Sequence, residues 1–250
     1  MTLYISHINI RSLLANYLDF LDHVSDCDYD IVGVTETWLH NDIESALVQV
    51  DNYNFVRVDR TGRRGGGVGI FVKSSLNFEI LASMSLDCIE YVWIKLLIKD
   101  KIIILWTIYR PPNSELNQFF EHIEDVLTNI YAKYDNIICL GDFNINFLSV
   151  TNASKQFESI MDPFGLKQLI LEPTRISGHS TTLIDLIFRV PYLKRKKRNP
   201  YRITLLSVRL SVCLSVRPSV CLSRPFISGT RGGIKLKLKR YTQVYGLLKL

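Results

Sequence analysis

Four short elements of the sequence carry side chains that could do chemistry. These are Asn9 after a first apolar stretch, Glu36 within Thr35-Glu36-Thr37-Trp38, Tyr109 opening Tyr109-Arg110-Pro111-Pro112, and Asp142 with Asn144 in Gly141-Asp142-Phe143-Asn144. They offer hard oxygen donors and hydrogen-bonding groups, with no thiolate or imidazole cluster beside them, and oxygen-rich sites select Mg²⁺ or Mn²⁺ over zinc. Asp142 and Asn144 stand two apart in an extended stretch, so both project to one side and can address one water or phosphate. Taken singly, Glu36 and Asp142 are even choices between ligand and cap, because a carboxylate at a strand end often only caps the next turn.

Each of these elements ends a stretch that reads as a strand. Leu3 to Ile10 and Asp30 to Thr35 are strands separated by a helix whose face carries Leu13, Leu14, Tyr17, Leu18, Leu21 and Val24 at three- and four-residue spacing. Strand, helix and strand in that order predict a layered α/β arrangement with a parallel neighbour pair. Further strands follow at Tyr53 to Val58, Gly67 to Lys73, Phe78 to Ala82, Tyr91 to Ile98 and Ile102 to Tyr109, the last two closing a hairpin around Asp100-Lys101. A second amphipathic helix places Leu116, Phe119, Phe120, Ile123, Val126, Leu127 and Ile130 on one face. After it come a buried strand, Asn136 to Leu140, a short helix, Lys155 to Asp162, and a final strand, Leu183 to Phe188. Helices segregated around two sheets predict a sandwich, and strand ends of one polarity gather the four elements on one rim.

The charge changes abruptly along the chain. Residues 1–188 hold 14 Lys/Arg and all 24 Asp/Glu, a net of −10, whereas residues 189–250 hold 16 Lys/Arg and no acid. The expected division is therefore one domain over 1–188 and a basic, low-complexity, disordered tail over 189–250, with nonspecific attraction to nucleic acid as the tail's functional alternative. Within the tail, Leu206 to Leu222 repeats a four-residue unit, LSVR-LSVC-LSVR-PSVC-L, which keeps no consistent face at a helical or strand period. It reads as translated simple-sequence DNA, against a low-complexity binding segment. The basic runs Lys194 to Arg198 and Lys235 to Arg240 are weakly specific signals for a nuclear address or a phosphate-binding arm. The five cysteines, Cys27, Cys88, Cys139, Cys213 and Cys221, are scattered, which predicts neither a zinc site nor a disulfide framework and fits a reducing intracellular location. The longest apolar run, Ile102 to Tyr109, is 8 residues, far short of the roughly 20 that span a bilayer. The chain opens on strand-like sequence with no basic start and apolar stretch, so no secretory signal is expected.

The four elements, together with the late Pro173-Thr174-Arg175 and Ser180 to Ile187 (S-T-T-L-I-D-L-I), resemble in order the endonuclease domain of non-LTR retrotransposons, within the endonuclease/exonuclease/phosphatase superfamily. The resemblance covers about residues 3–188. It implies a four-layer α-β-β-α sandwich, here lacking its last strands, and a Mg²⁺-dependent (or Mn²⁺-dependent) enzyme that nicks DNA by attack of water on a phosphodiester. Carried over position by position, it implies that Glu36 binds the metal with help from Asn9, that Asp142 activates the water, and that Asn144 orients the water or the phosphate. Tyr109 hydrogen-bonds the phosphate or the leaving oxygen, and Arg110 sits beside the phosphate. Asp185 matches the aspartate that orients a catalytic histidine, yet the Ser-Asp-His motif carrying that histidine is missing, with no His after His179. DNA is the implied partner, and the accompanying reverse transcriptase is absent from this chain.

Other features have plainer readings. His7 shares a strand face with Asn9, but a lone strand histidine is more often simply packed. His179 lies in a polar loop and reads as solvated, and His23, His40 and His122 fall on helix faces or in loops. Arg63-Arg64-Gly65-Gly66-Gly67 enters a strand rather than a helix, which favours a turn with close backbone packing over a phosphate loop. Trp38, Trp93 and Trp106 read as core or rim aromatics. The competing functional reading is a non-catalytic retrotransposon remnant with a nucleic-acid-binding basic tail, and a third is hydrolysis of some other phosphoester. If the last strands are lacking, an open sheet edge and poor solubility are expected.

Overall fold

The computed structural model describes residues 2–99, 101–177, 180–190, 207–213 and 243–245. In chain order the elements are β1 (Thr2–Asn9), α1 (Tyr17–Cys27), β2 (Ile31–Thr35), β3 (Tyr53–Val58), β4 (Val68–Lys73), β5 (Asn77–Ser85), β6 (Glu90–Ile98), β7 (Lys101–Tyr109), α2 (Leu116–Tyr131), β8 (Ile137–Asp142), α3 (Asn152–Met161), β9 (Lys167–Gln168), β10 (Arg175–Ser177), β11 (Ser180–Thr182), β12 (Asp185–Arg189), β13 (Ser207–Cys213) and β14 (Gln243–Tyr245). One sheet runs β14-β13-β1-β2-β4-β3, the other β5-β6-β7-β8-β12-β9, and β10-β11 form a separate hairpin.

Alternation along the strands decides which side chains meet between the sheets. On β1 and β2, Leu3, Ile5 and Ile31 join the inter-sheet core, whereas Ile8, Val32 and Val34 face outward and pack with Phe20 and Val24 of α1. On the far side, Phe119 of α2 and Phe157 of α3 close on Phe143 beneath the second sheet. The result is a four-layer α-β-β-α sandwich, as the resemblance implies. β1 and β2 pair in parallel, as the strand-helix-strand order predicts, and so do β7 and β8.

Two glycines let backbones approach where the site is built. A Cβ on Gly33 would lie 2.4 Å from Leu140 Cδ1 and 2.9 Å from Thr107 Oγ1, so its bare face allows the two sheets to close. A Cβ on Gly141, at φ +154°, would lie 1.8 Å from the Ile108 carbonyl oxygen. Helix starts differ from the sequence expectation because of local side-chain hydrogen bonds. Asn16 Nδ2 donates to the carbonyls of Ile10, Arg11 and Ser12, holding 10–16 as a loop, so α1 begins at Tyr17 rather than at the Leu13 turn. A reciprocal Thr151–Ser154 cap starts α3 at Asn152, ahead of the expected Lys155.

Most of residues 189–250, with both basic runs, lies outside the described residues, as do His179 and Asp100 of the expected hairpin turn. Within the repeat, β13 pairs parallel to β1 from Thr2↔Ser207 to Ile8↔Cys213, and β14 pairs with β13. β13 therefore covers the edge of the sheet beside β1. Main-chain pairing needs extended backbone rather than a consistent side-chain face, and the Val-rich repeat supplies it.

Candidate active site

The rim is assembled by strand register. Across β6, β7, β8 and β12 the paired residues Glu90↔Tyr109, Tyr109↔Asp142 and Asp142↔Asp185 form one polar row at the ends of β7 and β8. Facing it, the parallel pair β1 and β2 ends at Asn9↔Thr35, with Glu36 next in sequence. Asn9, Glu36, Asp142 and Asn144 line one pocket with Arg11, Pro112, Arg175 and Ile176. Among the described residues, five of the eight non-glycine residues with positive φ (Arg11, Ser12, Glu36, Trp38 and Asn144) lie on the loops around these carboxylates, which concentrates backbone strain at the rim.

Asn9 organises the carboxylates. Its Nδ2 donates to Asp142 Oδ2 at 2.7 Å and to Glu36 Oε1 at 3.0 Å, and its Oδ1 is buried with no hydrogen-bond partner. Glu36 also accepts from Trp38 Nε1 at 3.2 Å and from the Tyr109 hydroxyl at 3.4 Å. The Asn144 backbone N–H donates to Asp142 Oδ1 at 3.0 Å, closing an Asp-turn that aims both residues into the pocket. Burial pushes the Asp142 carboxyl up to about 7, reinforced by the Glu36 charge and opposed by the Asn9 and Asn144 hydrogen bonds. Burial and the charges of Glu36 and Asp142 drive the Tyr109 phenol well above its usual range, so it stays a hydrogen donor at neutral pH.

Arg110 departs from expectation. Its guanidinium turns into the protein, donating to the carbonyls of Phe143 (2.8 Å), Asn144 (3.0 Å) and Ser114 (3.1 Å), and it does not line the pocket. Asn144 Nδ2 returns a bond to the Arg110 carbonyl at 2.8 Å, so Arg110 splints the Asp-Phe-Asn turn from behind rather than facing a phosphate. The pocket's cations are instead Arg175, from the Pro-Thr-Arg element, and Arg11, both exposed and neither given a role by sequence reasoning.

Asp185 is fully buried; its backbone N–H donates to Thr174 Oγ1 at 3.0 Å and the same Thr174 hydroxyl favours its charged form, although neither carboxylate oxygen meets a partner at hydrogen-bond geometry. Its nearest basic group is His7 Nδ1 at 3.5 Å from Oδ1, while His7 Nε2 contacts Thr35 Oγ1 at 3.1 Å. Burial lowers His7 to about 3 and raises Asp185 well above the carboxylate range, with the Asp142 charge adding to the latter. The His7 imidazole is therefore neutral near pH 7, and the contact is not an ion pair. His7 is a buried packing partner, as its strand position predicts, and does not line the pocket.

A sequence model of the endonuclease/exonuclease/phosphatase family matches residues 7–200. The chain belongs to this family. A search among curated protein sequences finds no match. Solved structures of similar fold include the endonuclease domain of TRAS1, a telomere-specific non-LTR retrotransposon (16% identity, 74% of this chain and 82% of that one, TM-score 0.59). An AP endonuclease from Archaeoglobus fulgidus is similar at 16% identity over 76% of this chain and 87% of that one, TM-score 0.58. The 3'-5' exonuclease NExo from Neisseria meningitidis is similar at 18% identity over 75% and 86%, TM-score 0.58. Members of this family are hydrolytic nucleases and phosphatases, so phosphoester hydrolysis is the activity class of the family to which the chain belongs. Among the described residues no helix is long and apolar enough to cross a membrane.

Proposed function

We propose that the chain hydrolyses phosphodiester bonds in DNA, nicking one strand, with Mg²⁺ or Mn²⁺ held at Glu36 and Asn9, and that the lack of a Ser-Asp-His motif slows it. The Asn9 amide carries the reading. With Nδ2 committed to both carboxylates, the buried and unpartnered Oδ1 is left as an oxygen donor beside Glu36. Among the described residues no three His, Cys, Asp or Glu make a metal cluster. One carboxylate with an amide oxygen is the sparse protein set that Mg²⁺ accepts when water and substrate phosphate supply the remaining ligands, so the residues present fit it.

When bound, the cation would offset charge developing on the scissile phosphate and the leaving oxygen. Asp142, raised toward neutrality, takes the proton of the attacking water, which Asn144 orients. The protonated Tyr109 hydroxyl donates to the phosphate or the leaving oxygen, and Arg175 adds positive charge at the pocket wall. The Tyr-Arg-Pro-Pro and Pro-Thr-Arg elements favour DNA and a retrotransposon origin over other phosphoesters. In a eukaryotic cell such an enzyme works in the nucleus.

The test is conversion of supercoiled plasmid to open circle with Mg²⁺, with Asp142→Ala as control and EDTA to remove the metal. The reading expects slow nicking that both abolish. The unpartnered Asp185 favours one competitor, a remnant that binds nucleic acid without cutting it, and equal background nicking in wild type and Asp142→Ala would establish that instead.

A further inference from the structure

A second cleft opens on the other side of Glu36. It shares Glu36 and Pro112 with the carboxylate pocket and adds Trp38, Tyr109 and three arginines, Arg60, Arg63 and Arg64. The loop that carries it is rigidly framed. Gly65, Gly66 and Gly67 have φ of +87°, +70° and +86°, and a Cβ would fall 2.2 Å from Arg60 Cζ at Gly66 and 2.3 Å from Thr37 Oγ1 at Gly67. The Trp38 N–H donates to the Gly66 carbonyl at 2.9 Å, and the Gly67 N–H donates to Glu90 Oε2 at 2.6 Å. Glu90 also accepts from Arg60 Nε, so the polar row across the second sheet reaches through Glu90 to fix this loop.

The glycines serve close packing, as their spacing predicts, but the arginines are not consumed by it. Arg60 has a side chain 10% exposed, lies with Cζ 5.5 Å from the Tyr109 ring centroid, and keeps a buried Nη2 with no hydrogen-bond partner. Arg64 is exposed, with Cζ 5.6 Å from the Trp38 ring. Arg63 meets only the solvated Asp87 carboxylate at 3.3 Å and the Asp87 carbonyl, a contact that water largely screens. The two clefts meet at Glu36 and Pro112, with Arg11 and Arg175 lining the first and three arginines with an aromatic ring lining the second.

We propose that this second cleft holds the DNA strand one step beyond the scissile phosphate. Arg63 and Arg64 take phosphate oxygens, Arg60 Nη2 supplies a buried donor beside Tyr109, and the Trp38 ring offers a sequence-tolerant face to the flanking nucleotide. The inference rests on the nuclease reading for the identity of the polyanion and adds where its strand runs. Arg63 and Arg64 are the residues to change, because both are exposed, whereas altering Arg60 would break a buried ion pair.

The experiment uses the full chain. Binding of a short labelled single-stranded oligonucleotide is titrated against salt in an Asp142→Ala background, with and without Arg63→Ala/Arg64→Ala; nicking of plasmid is measured in the wild-type background with the same pair. The basic tail is common to all variants, so the difference isolates the cleft. Losing two phosphate contacts should weaken binding about tenfold at low salt and reduce the slope of log K against log salt by about 1.4. Nicking should show a raised KM with kcat kept, and DNA should quench Trp38 emission, a signal absent in Trp38→Phe. Unchanged affinity and slope would overturn the proposal. If the wild type nicks but is indifferent to the arginine pair, the strand path falls and the nuclease reading stands; if the slope difference appears with no nicking, the reverse holds.

Discussion

Two corners of one rim differ in how far they are finished. At the Asn9–Glu36–Asp142 corner, carboxylate oxygens accept from Asn9, Trp38, Tyr109 and the Asn144 backbone, with Arg110 bracing the turn. At the His7–Asp185 corner, both Asp185 oxygens and His7 Nδ1 are buried without a hydrogen-bond partner. Buried polar groups in native proteins are nearly always paired, so the Asp185 carboxyl is an exception that carries a desolvation cost. The first corner is held in place by hydrogen bonds, whereas the second buries a carboxyl without one, which costs stability.

That contrast can be broken in three ways, taken in order of expected effect. Gly141→Ala should be the most damaging change, because its Cβ would collide with the Ile108 backbone between the two corners; a loss of more than about 4 kcal/mol by denaturant titration, or failure to fold, is expected. Arg110→Met keeps the length and apolar stem but strips the buried donors from the Phe143 and Asn144 carbonyls. It should cost about 3 kcal/mol and reduce nicking, through a turn that no longer aims Asp142. Asp185→Asn should do the opposite and stabilise the chain by about 1–2 kcal/mol, a rise of about 2–8 °C in Tm.

The last effect carries a sign in pH. Asp185 is raised in the fold, so between its unfolded and folded pKa values the native state binds more protons than the unfolded state, and its contribution is present at low pH and lost as pH rises. The stabilisation by Asp185→Asn in metal-free protein should therefore be larger at pH 8 than at pH 5. A difference independent of pH would show that the carboxyl is not the source of the strain.

Much of this was legible in the sequence. Apolar runs mark β1, β2 and β6 to β8, and the short motifs locate Asn9, Glu36, Tyr109, Asp142 and Asn144, which the structure brings to one rim. What was not legible depends on long-range register. Arg110 reads as a phosphate ligand because its neighbours are chemical, but only the packing of β7 against β8 shows its guanidinium turned behind the turn. His7 and Asp185 lie 178 residues apart in numbering and meet because β1 and β12 sit opposite each other across the inter-sheet core. Trp38 looks like any rim aromatic until its indole is seen on Glu36, and Arg175 needs the β10-β11 hairpin to fold over the pocket. The pairing of β13 with β1 was hidden because the repeat has no consistent face.

The most direct test compares single-turnover nicking by wild type, Asp142→Ala and Asp185→Asn with Mg²⁺. If the first corner alone carries the chemistry, Asp142→Ala should lose about two to four orders of magnitude, while Asp185→Asn stays within about twofold of wild type, because the histidine it meets, His7, does not line the pocket. A fall in Asp185→Asn as deep as that in Asp142→Ala would contradict the account, because it would make the unpartnered corner part of the working site.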